Sequence, residues 1–422
     1  MARLDQQRTT TVRDLRKSNR ARVLWELYLH GPLTRQEVGA AAGVSPATVS
    51  NLIGDLLEQG VVIEVGLEDS NGGRPRGLLE VNPEYGYVIG VDVGETAFLV
   101  ELFDLGMQVR ASHVSTTELA RLDPADAVQH VVEGIDAVLA ESGVETSQIL
   151  GVGVGVPGLV EHGDDGVVYG QSVGWENVPF GRMLRRTLDR PLLVDNGAKT
   201  LGQAEKWFGS ARDADNAVIL LLGIGVGTSI ISNGELYRGA TSSAGEWGHT
   251  KVVVGGRDCR CGASGCLEAY VGAGAIVARY DELKRRKNKV NPAQLEQRLA
   301  EIVAAPASDK SAAKVLEETA TYLGAGIADL VNLFNPERVV IGGWLGHQLA
   351  PKLLPRIRQI VAAQALRLPS EHAEICAAEL GADAVALGAA TLPIANVLSS
   401  GAILPAADSG RGRSLAGGRA AG

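Results

Sequence analysis

One histidine and three of only four cysteines fall between Gly245 and Glu268, in the run GEWGHTKVVVGGRDCRCGASGCLE. His249, Cys259, Cys261 and Cys266 offer one imidazole and three thiolates, the soft tetrahedral donor set that closes a structural Zn²⁺ site. Gly262 and Gly265 lie between the cysteines, where a chain doubling back around an ion needs positive φ or close backbone approach. Such a closed shell leaves no position for a reactive water, so the ion is expected to shape a loop over 249–266 rather than to hydrolyse. A turn with incidental thiols is the alternative. It must place three cysteines, two glycines and a histidine separately, where one ion accounts for all of them. The remaining thiol, Cys376 in AEICAAEL, reads as a core residue, and no disulfide framework is implied.

The chain must hold this loop within more than one domain, since 422 residues exceed one ordinary core. No stretch reads as a secretory segment or an apolar run of membrane-spanning length, so the expected location is cytoplasmic. The net charge of −9 argues against a nonspecific nucleic-acid coat, but its distribution is uneven. Arg3, Arg8, Arg13, Arg16, Lys17, Arg20 and Arg22 face only Asp5 and Asp14 near the start of the chain. A basic arm, assigned to residues 1–17, on an acidic body is a footprint of DNA contact. A solvated arm without a partner is the plain alternative.

Residues 18–82 read as a winged helix-turn-helix. Ala21 to Leu29 carries apolar residues at helical spacing and stops at Gly31-Pro32. Thr34 can cap a second helix running through Ala42, with Glu37 at the capping-box position, and Gly43 turns the chain before Ser45-Pro46 opens a third. In that third helix Val49, Leu52, Ile53, Leu56 and Leu57 form the inward face. Ser45, Ala47, Thr48, Ser50 and Asn51 are left outward, short side chains that suit a major-groove floor. Val61 to Val65 and Leu78 to Val81 read as strands joined by the tip SNGGRPRG, whose Arg74 and Arg76 suit a narrow minor groove. Trihelical units also serve as protein-interaction modules; arm, third helix and wing together favour double-stranded DNA.

From Tyr87 the pattern changes to apolar runs each followed by glycines: YVIGVDVG, FLVELFD, ILGVGVGVPG, PLLVDNG and NAVILLLGIGVGTSIIS. An α/β sheet presents backbone amides at strand ends in this way, and the loops Asp92 to Thr96 and Gly223 to Thr228 have the composition of phosphate cradles. Taken with Pro157, Gly158, Trp175, the segment Glu246-Trp247-Gly248-His249, the cysteine cluster and Glu268, these runs resemble the ROK family of sugar kinases and sugar-responsive repressors. The resemblance covers roughly residues 85 to 395, and the preceding winged helix matches the regulator branch of that family.

The resemblance implies an α/β fold class: an N-terminal winged helix-turn-helix followed by a two-lobed, actin-like ATPase (ROK) fold, here over 83–398, with sugar in the cleft and zinc shaping one wall. It implies sugar contacts from Asn196, Glu246, His249 and Glu268, His249 serving metal and sugar through its two ring nitrogens. In the family's kinases an Asn-Asp pair follows a strand and the Asp acts as general base; here the place reads Asp195-Asn196-Gly197. Glycine accepts no proton, and a positioned base contributes about 10²- to 10⁴-fold. Glu95 replaces the second glycine of the family's Asp-x-Gly-Gly-Thr loop, setting a carboxylate where polyphosphate would approach, and Ile224 replaces a small hydroxyl residue in the second loop. Asp195 is a substitute base only if it points the same way as its neighbour, which adjacent strand-end residues do not.

The expected function is a sugar-responsive DNA-binding transcriptional regulator, a repressor more than an activator, with no catalytic residue. Its alternative is a glucokinase-like ROK sugar kinase with an added DNA-binding module. The loss at Gly197 leaves a pentose such as xylose among the candidate effectors. Expected partners are an inverted-repeat operator, a sugar or sugar-derivative effector and a second copy of the chain, as a homodimer or homotetramer. Lys284 to Lys289 reads as a solvated basic run. Residues 399–422, rich in Gly, Ala and Ser, read as a disordered tail.

Overall fold

The computed structural model describes residues 12–68, 75–116, 122–161, 163, 165–286 and 294–401. Arg74, the first part of the basic arm, the end of the basic run at 284–289 and most of the expected tail lie outside the described residues. Two compact units divide the chain: Gly86–Val144 with Gly151–Ile394 form one, and the remainder, including Glu145–Leu150, forms the other. A single cut at residue 82 therefore does not describe the division.

In the N-terminal unit, α1 (Val12–His30) precedes a short strand β1 (Leu33–Thr34), α2 (Arg35–Ala42), α3 (Pro46–Glu58) and the hairpin β2 (Val62–Glu68) and β3 (Arg76–Val81). The first helix begins well before Ala21, so residues assigned to the arm from position 12 onward are helical. Its basic residues are also partly occupied: Arg16 pairs with Asp55 of α3, and Arg20 donates to Gln59 at 2.7 Å. Thr34 and Glu37 form the expected reciprocal capping box, the Glu37 amide reaching Thr34 Oγ1 at 3.3 Å and the Thr34 amide reaching Glu37 at 2.8 Å. Gly43 closes α2 at φ 61°, and Ser45 caps α3. Val49, Leu52, Ile53 and Leu56 are buried; Leu57 is half-buried. β1 adds to β3, completing a three-stranded sheet in the order β1-β3-β2.

The larger unit holds two five-stranded mixed sheets. The first comprises β4 (Tyr87–Val93), β5 (Ala97–Asp104), β6 (Val109–Thr116), β7 (Ile149–Val156) and, after the small sheet of β8 (Leu159–Val160), β9 (Val167–Gly170) and β10 (Trp175–Pro179), β11 (Leu192–Asn196). Its order is β11-β7-β4-β5-β6. Helices α4 (Pro124–Ser142) and α5 (Phe180–Arg185) belong to this lobe. The second sheet comprises β12 (Ala217–Leu222), β13 (Val226–Ser232), β14 (Glu235–Leu236), β15 (Arg338–Gly342) and β16 (Glu374–Ala377), in the order β14-β13-β12-β15-β16. The run NAVILLLGIGVGTSIIS is thus two antiparallel strands, turned at the second glycine loop.

The bridge between the lobes is α6 (Gly197–Phe208), which starts at the end of β11 and packs on β12 and β13. Close packing there depends on the absence of side chains: a Cβ on Gly202 would stand 1.8 Å from Ser229 Oγ. Helices α7 (Glu268–Val271), α8 (Ala273–Leu283), α9 (Leu295–Ala304), α10 (Lys310–Phe334), α11 (Gly343–Gln364) and α12 (Arg367–His372) follow, and α13 (Ala384–Ser400) ends the described chain. The second lobe's core joins Leu220 and Leu222 of β12 to Ile276, Leu323, Ile327 and Leu345 from three of these helices. At roughly 1.5–3 kcal/mol for each fully buried large aliphatic side chain, that core gives the loop region between β14 and α7 a rigid base.

Candidate functional site

Between β14 and α7 the chain forms no regular strand, and two isolated bridges, Lys251 with Cys266 and Asp258 with Ser264, fold it back on itself. Gly262 and Gly265 take φ of 84° and 78°, the left-handed region that lets the loop reverse. A Cβ at Gly265 would also stand 1.8 Å from Val253 O. This reversal brings His249 Nδ1 to 3.7 Å from Cys259 Sγ and Cys261 Sγ to 3.7 Å from Cys266 Sγ, with all four ligand atoms within 4.8 Å of one another. Ligands about 2.0–2.3 Å from a shared tetrahedral zinc lie roughly 3.3–3.8 Å apart, so the donor set fits that ion with a small contraction.

The surroundings suit thiolates bound to a cation. Lys251 Nζ donates to Cys266 Sγ at 2.7 Å. Burial pushes the Cys259 thiol up to about 12, so a metal is what would hold it deprotonated at neutral pH. Bound there, zinc would supply a fixed crosslink between residues 249 and 266 and no open coordination position.

The residues around the cleft divide into bound and open groups. Asn196 is the N-cap of α6: its Oδ1 accepts from the Ala198 and Lys199 amides at 2.9 and 3.2 Å, and its Nδ2 donates to Gly158 O at 2.6 Å. One amide hydrogen remains for a ligand. Glu268 is 8 % exposed; Oε2 accepts the Val226 amide at 3.0 Å, while Oε1 faces Arg260 at 3.4 Å. It therefore fastens the second glycine loop to the metal loop. Glu246 and His249 Nε2 make no side-chain hydrogen bond among the described residues. Burial raises the Glu246 carboxyl above its ordinary value, with Lys199 and His249 opposing.

Asp195 is 5 % exposed, and both of its carboxylate oxygens are engaged. Arg238 holds Oδ2 at 2.6 Å and the Asn196 amide donates to Oδ1 at 2.8 Å. Gly197 opens α6, and a Cβ there would meet nothing closer than Val156 O at 3.6 Å.

Glu95 differs from the lone carboxylate expected from sequence. Arg260, between two of the cysteine ligands, donates to it at 2.7 Å and also reaches Glu268. A Cβ on Gly225 would lie within 3.4–3.7 Å of Glu268, Arg260 and Glu95, so this ion bridge sits against the second glycine loop. The two phosphate-type loops are tied together through the metal loop, and the Glu95 charge is compensated by Arg260 rather than left to repel.

In the N-terminal unit Ser45, Ala47, Ser50 and Asn51 are exposed and Thr48 is half-buried, its hydroxyl 2.9 Å from that of Ser45. Arg76 is exposed at the start of β3, in register with Glu68. Sequence reasoning missed Lys199, Arg238 and Arg260. Arg260 carried a signal, lying between two cysteine ligands. Lys199 carried one too, in the first turn of the helix that Asn196 caps. Arg238 carried none, since its partner is distant in the chain.

A winged helix joined to a two-lobed, sugar-kinase-like fold, with a Cys₃His loop at the cleft, defines the class. Residues 88–396 match the ROK family, and residues 16–74 match the MarR family. A putative xylose repressor from Caldicellulosiruptor sp. (strain Rt8B.4) is 30 % identical over 91 % of this chain and 97 % of its own length. A glucokinase from Halalkalibacterium halodurans is 32 % identical over 72 % of this chain and 93 % of its own. The crystal structure of a ROK family transcriptional regulator, a homologue of the E. coli MLC protein, superposes with a TM-score of 0.76 at 25 % identity, covering 92 % of this chain and 97 % of that one. The chain belongs to the ROK family. Among the described residues no helix is long and apolar enough to cross a membrane.

Proposed function

We propose that this protein is a sugar-responsive DNA-binding transcriptional repressor whose ROK domain senses a sugar without phosphorylating it. The observation that carries this reading is the joining, in one chain, of an exposed polar face on α3 to a ROK fold whose general-base position is Gly197. Ser45, Ala47, Thr48, Ser50 and Asn51 would read base edges in a major groove, and Arg76 with Arg74 would enter the adjacent minor groove. Asn196, Glu246, His249 and Glu268 would surround the sugar, with Glu246 and His249 the contacts left free. A structural zinc on His249, Cys259, Cys261 and Cys266 would orient His249 toward the cleft. The relatives support the reading, since the one named as a repressor spans nearly the whole chain. Paired winged helices of a homo-oligomer would favour an inverted repeat.

The test is to incubate zinc-loaded protein with fragmented genomic DNA, recover bound fragments at moderate salt, and sequence them with and without neutral sugars. An inverted repeat beside carbohydrate genes, released by one sugar, is the expected result. Absence of enrichment under every condition would sink the repressor. The second reading, a sugar kinase with a DNA-binding module, is favoured by the glucokinase relative. Sugar-dependent ATP turnover at enzyme-like rates would establish it. Against it stand Gly197, the engagement of Asp195 by Arg238 and the ion bridge over the second loop.

A further inference from the structure

Most charged groups of the cleft pair off; among the described residues Asp92, Lys199 and Glu246 do not, and burial raises the Asp92 carboxyl to about 7. Asp195 is held by Arg238; Glu95 and Glu268 share Arg260. Lys199 and Glu246 make neither an ion pair nor a side-chain hydrogen bond with any described residue. Yet Lys199 is 1 % exposed, on the first turn of α6 just beyond the Asn196 cap. A nearly buried ammonium with no protein acceptor is costly unless water or a ligand oxygen reaches it, so the site calls for one of these. Its ammonium feels Asp195 and Glu246 most among charged neighbours, and burial lowers its pKa. The cation and the anion thus lie near each other without forming an ion pair or a hydrogen bond.

We propose that Lys199 is a specificity-determining residue of the effector site, donating to an oxygen of a neutral sugar whose hydroxyl donates to Glu246. This rests on the sugar-sensing reading above and names the chemistry of that site. A hydroxyl can accept from an ammonium and donate to a carboxylate at once, so it fills a gap between the two that neither side chain closes. Neutrality follows from charge balance. Lys199 and Glu246 oppose each other in charge, whereas a phosphate or carboxylate would add a further negative charge beside Glu246 with no second unpaired cation near it among the described residues.

The experiment is calorimetric titration of the zinc-loaded, full-length protein with D-xylose, D-glucose and N-acetylglucosamine, and with glucose 6-phosphate and glucuronate. Wild type, Lys199→Met and Lys199→Gln are compared, with zinc content and melting temperature measured on each. A neutral sugar is expected to bind wild type, to bind Lys199→Met about 10- to 100-fold more weakly, and to bind Lys199→Gln, which keeps a donor, in between. The monodeoxy analogue lacking the contacted oxygen is expected to bind wild type and Lys199→Met equally, a coincidence that a merely structural role would not produce. Equal binding of the neutral sugar by wild type and Lys199→Met, or a uniform loss across all deoxy analogues, overturns the proposal. Tighter binding of the phosphate or the uronate than of the neutral sugars overturns it as well. If Lys199→Met fails to fold, Lys199→Gln carries the same comparison. If no sugar binds wild type, the sensor reading itself falls and the proposal with it, an outcome distinct from a normal wild type with an unaffected variant.

Discussion

Arg238→Met removes the partner of a carboxylate whose side chain is 7 % exposed, while the guanidinium itself is 29 % exposed. One oxygen of Asp195 keeps the Asn196 amide at 2.8 Å; the other loses its ion pair, leaving Lys199, which forms no ion pair with it, as the nearby cation. Breaking a buried pair by deleting one member costs roughly 3–5 kcal/mol, because the remaining charge is left uncompensated, whereas removing both charges is far cheaper. Water reaches part of the guanidinium, so the lower end applies: about 3 kcal/mol for Arg238→Met, and about 1 kcal/mol for Asp195→Asn combined with it. Urea unfolding of the wild type and the two variants, followed by tryptophan fluorescence, reads these losses as shifts in midpoint at constant slope. The two units can unfold separately, so only the transition reported by the tryptophans of the larger unit is compared. A loss below about 1 kcal/mol for Arg238→Met, or equal losses for single and double variants, refutes the claim that Asp195 is held as a structural charge. Asp195 would then stand beside Gly197 as a usable base, and the kinase reading would recover its missing group.

Metal analysis is expected to find one zinc per chain, lost in Cys261→Ser with a lower melting temperature; full retention of zinc by that variant refutes the ligand set. Gly197→Asp is expected to fold within about 0.5 kcal/mol of wild type, since the site has room for a Cβ and an acid at a helix start is favourable. Neither it nor wild type is expected to show sugar-dependent ATP turnover, because the Glu95–Arg260 bridge still lies against the second loop; turnover by wild type refutes the non-enzymatic reading. Burial, the neighbouring Asp383 and an opposing Ser112 hydrogen bond leave the Glu101 carboxyl raised from its ordinary 4.5 to about 7. The folded state then holds the proton longer than the unfolded one, so this group's stabilising contribution is complete below about pH 4.5 and is lost as pH rises towards 7. Glu101→Gln should match wild type in acid and exceed it by up to about 3 kcal/mol above pH 7 in denaturant titrations; a pH-independent difference refutes this origin.

Much of this was legible in the residues because the signals were local. A capping box, a left-handed glycine or a proline at a helix start acts within a few residues, which is why Thr34, Glu37, Gly43 and Ser45 marked α2 and α3 correctly. The metal ligands were legible for the same reason: three thiolates and an imidazole within one loop need only local reversal to converge. The start of α1 was missed because the positions before Ala21 lack an apolar stripe. Polar side chains there are held by α3 instead, through Arg16 with Asp55 and Arg20 with Gln59.

What the amino-acid sequence determined by itself was the class of fold and the convergence of one histidine and three cysteines into a cluster that could hold a metal. Only the tertiary structure decided which charges are spent and which are free. Glu95 read as a repelling carboxylate until the fold set Arg260 against it, and Asp195, discounted as a base on strand-end direction alone, is held by Arg238 from the other lobe. Lys199 carried no reading from sequence, and the fold leaves it 1 % exposed with no ion pair to any described residue. Charge compensation depends on distance in space, falling off steeply between groups that close packing brings together from remote parts of the chain, and no local pattern encodes it.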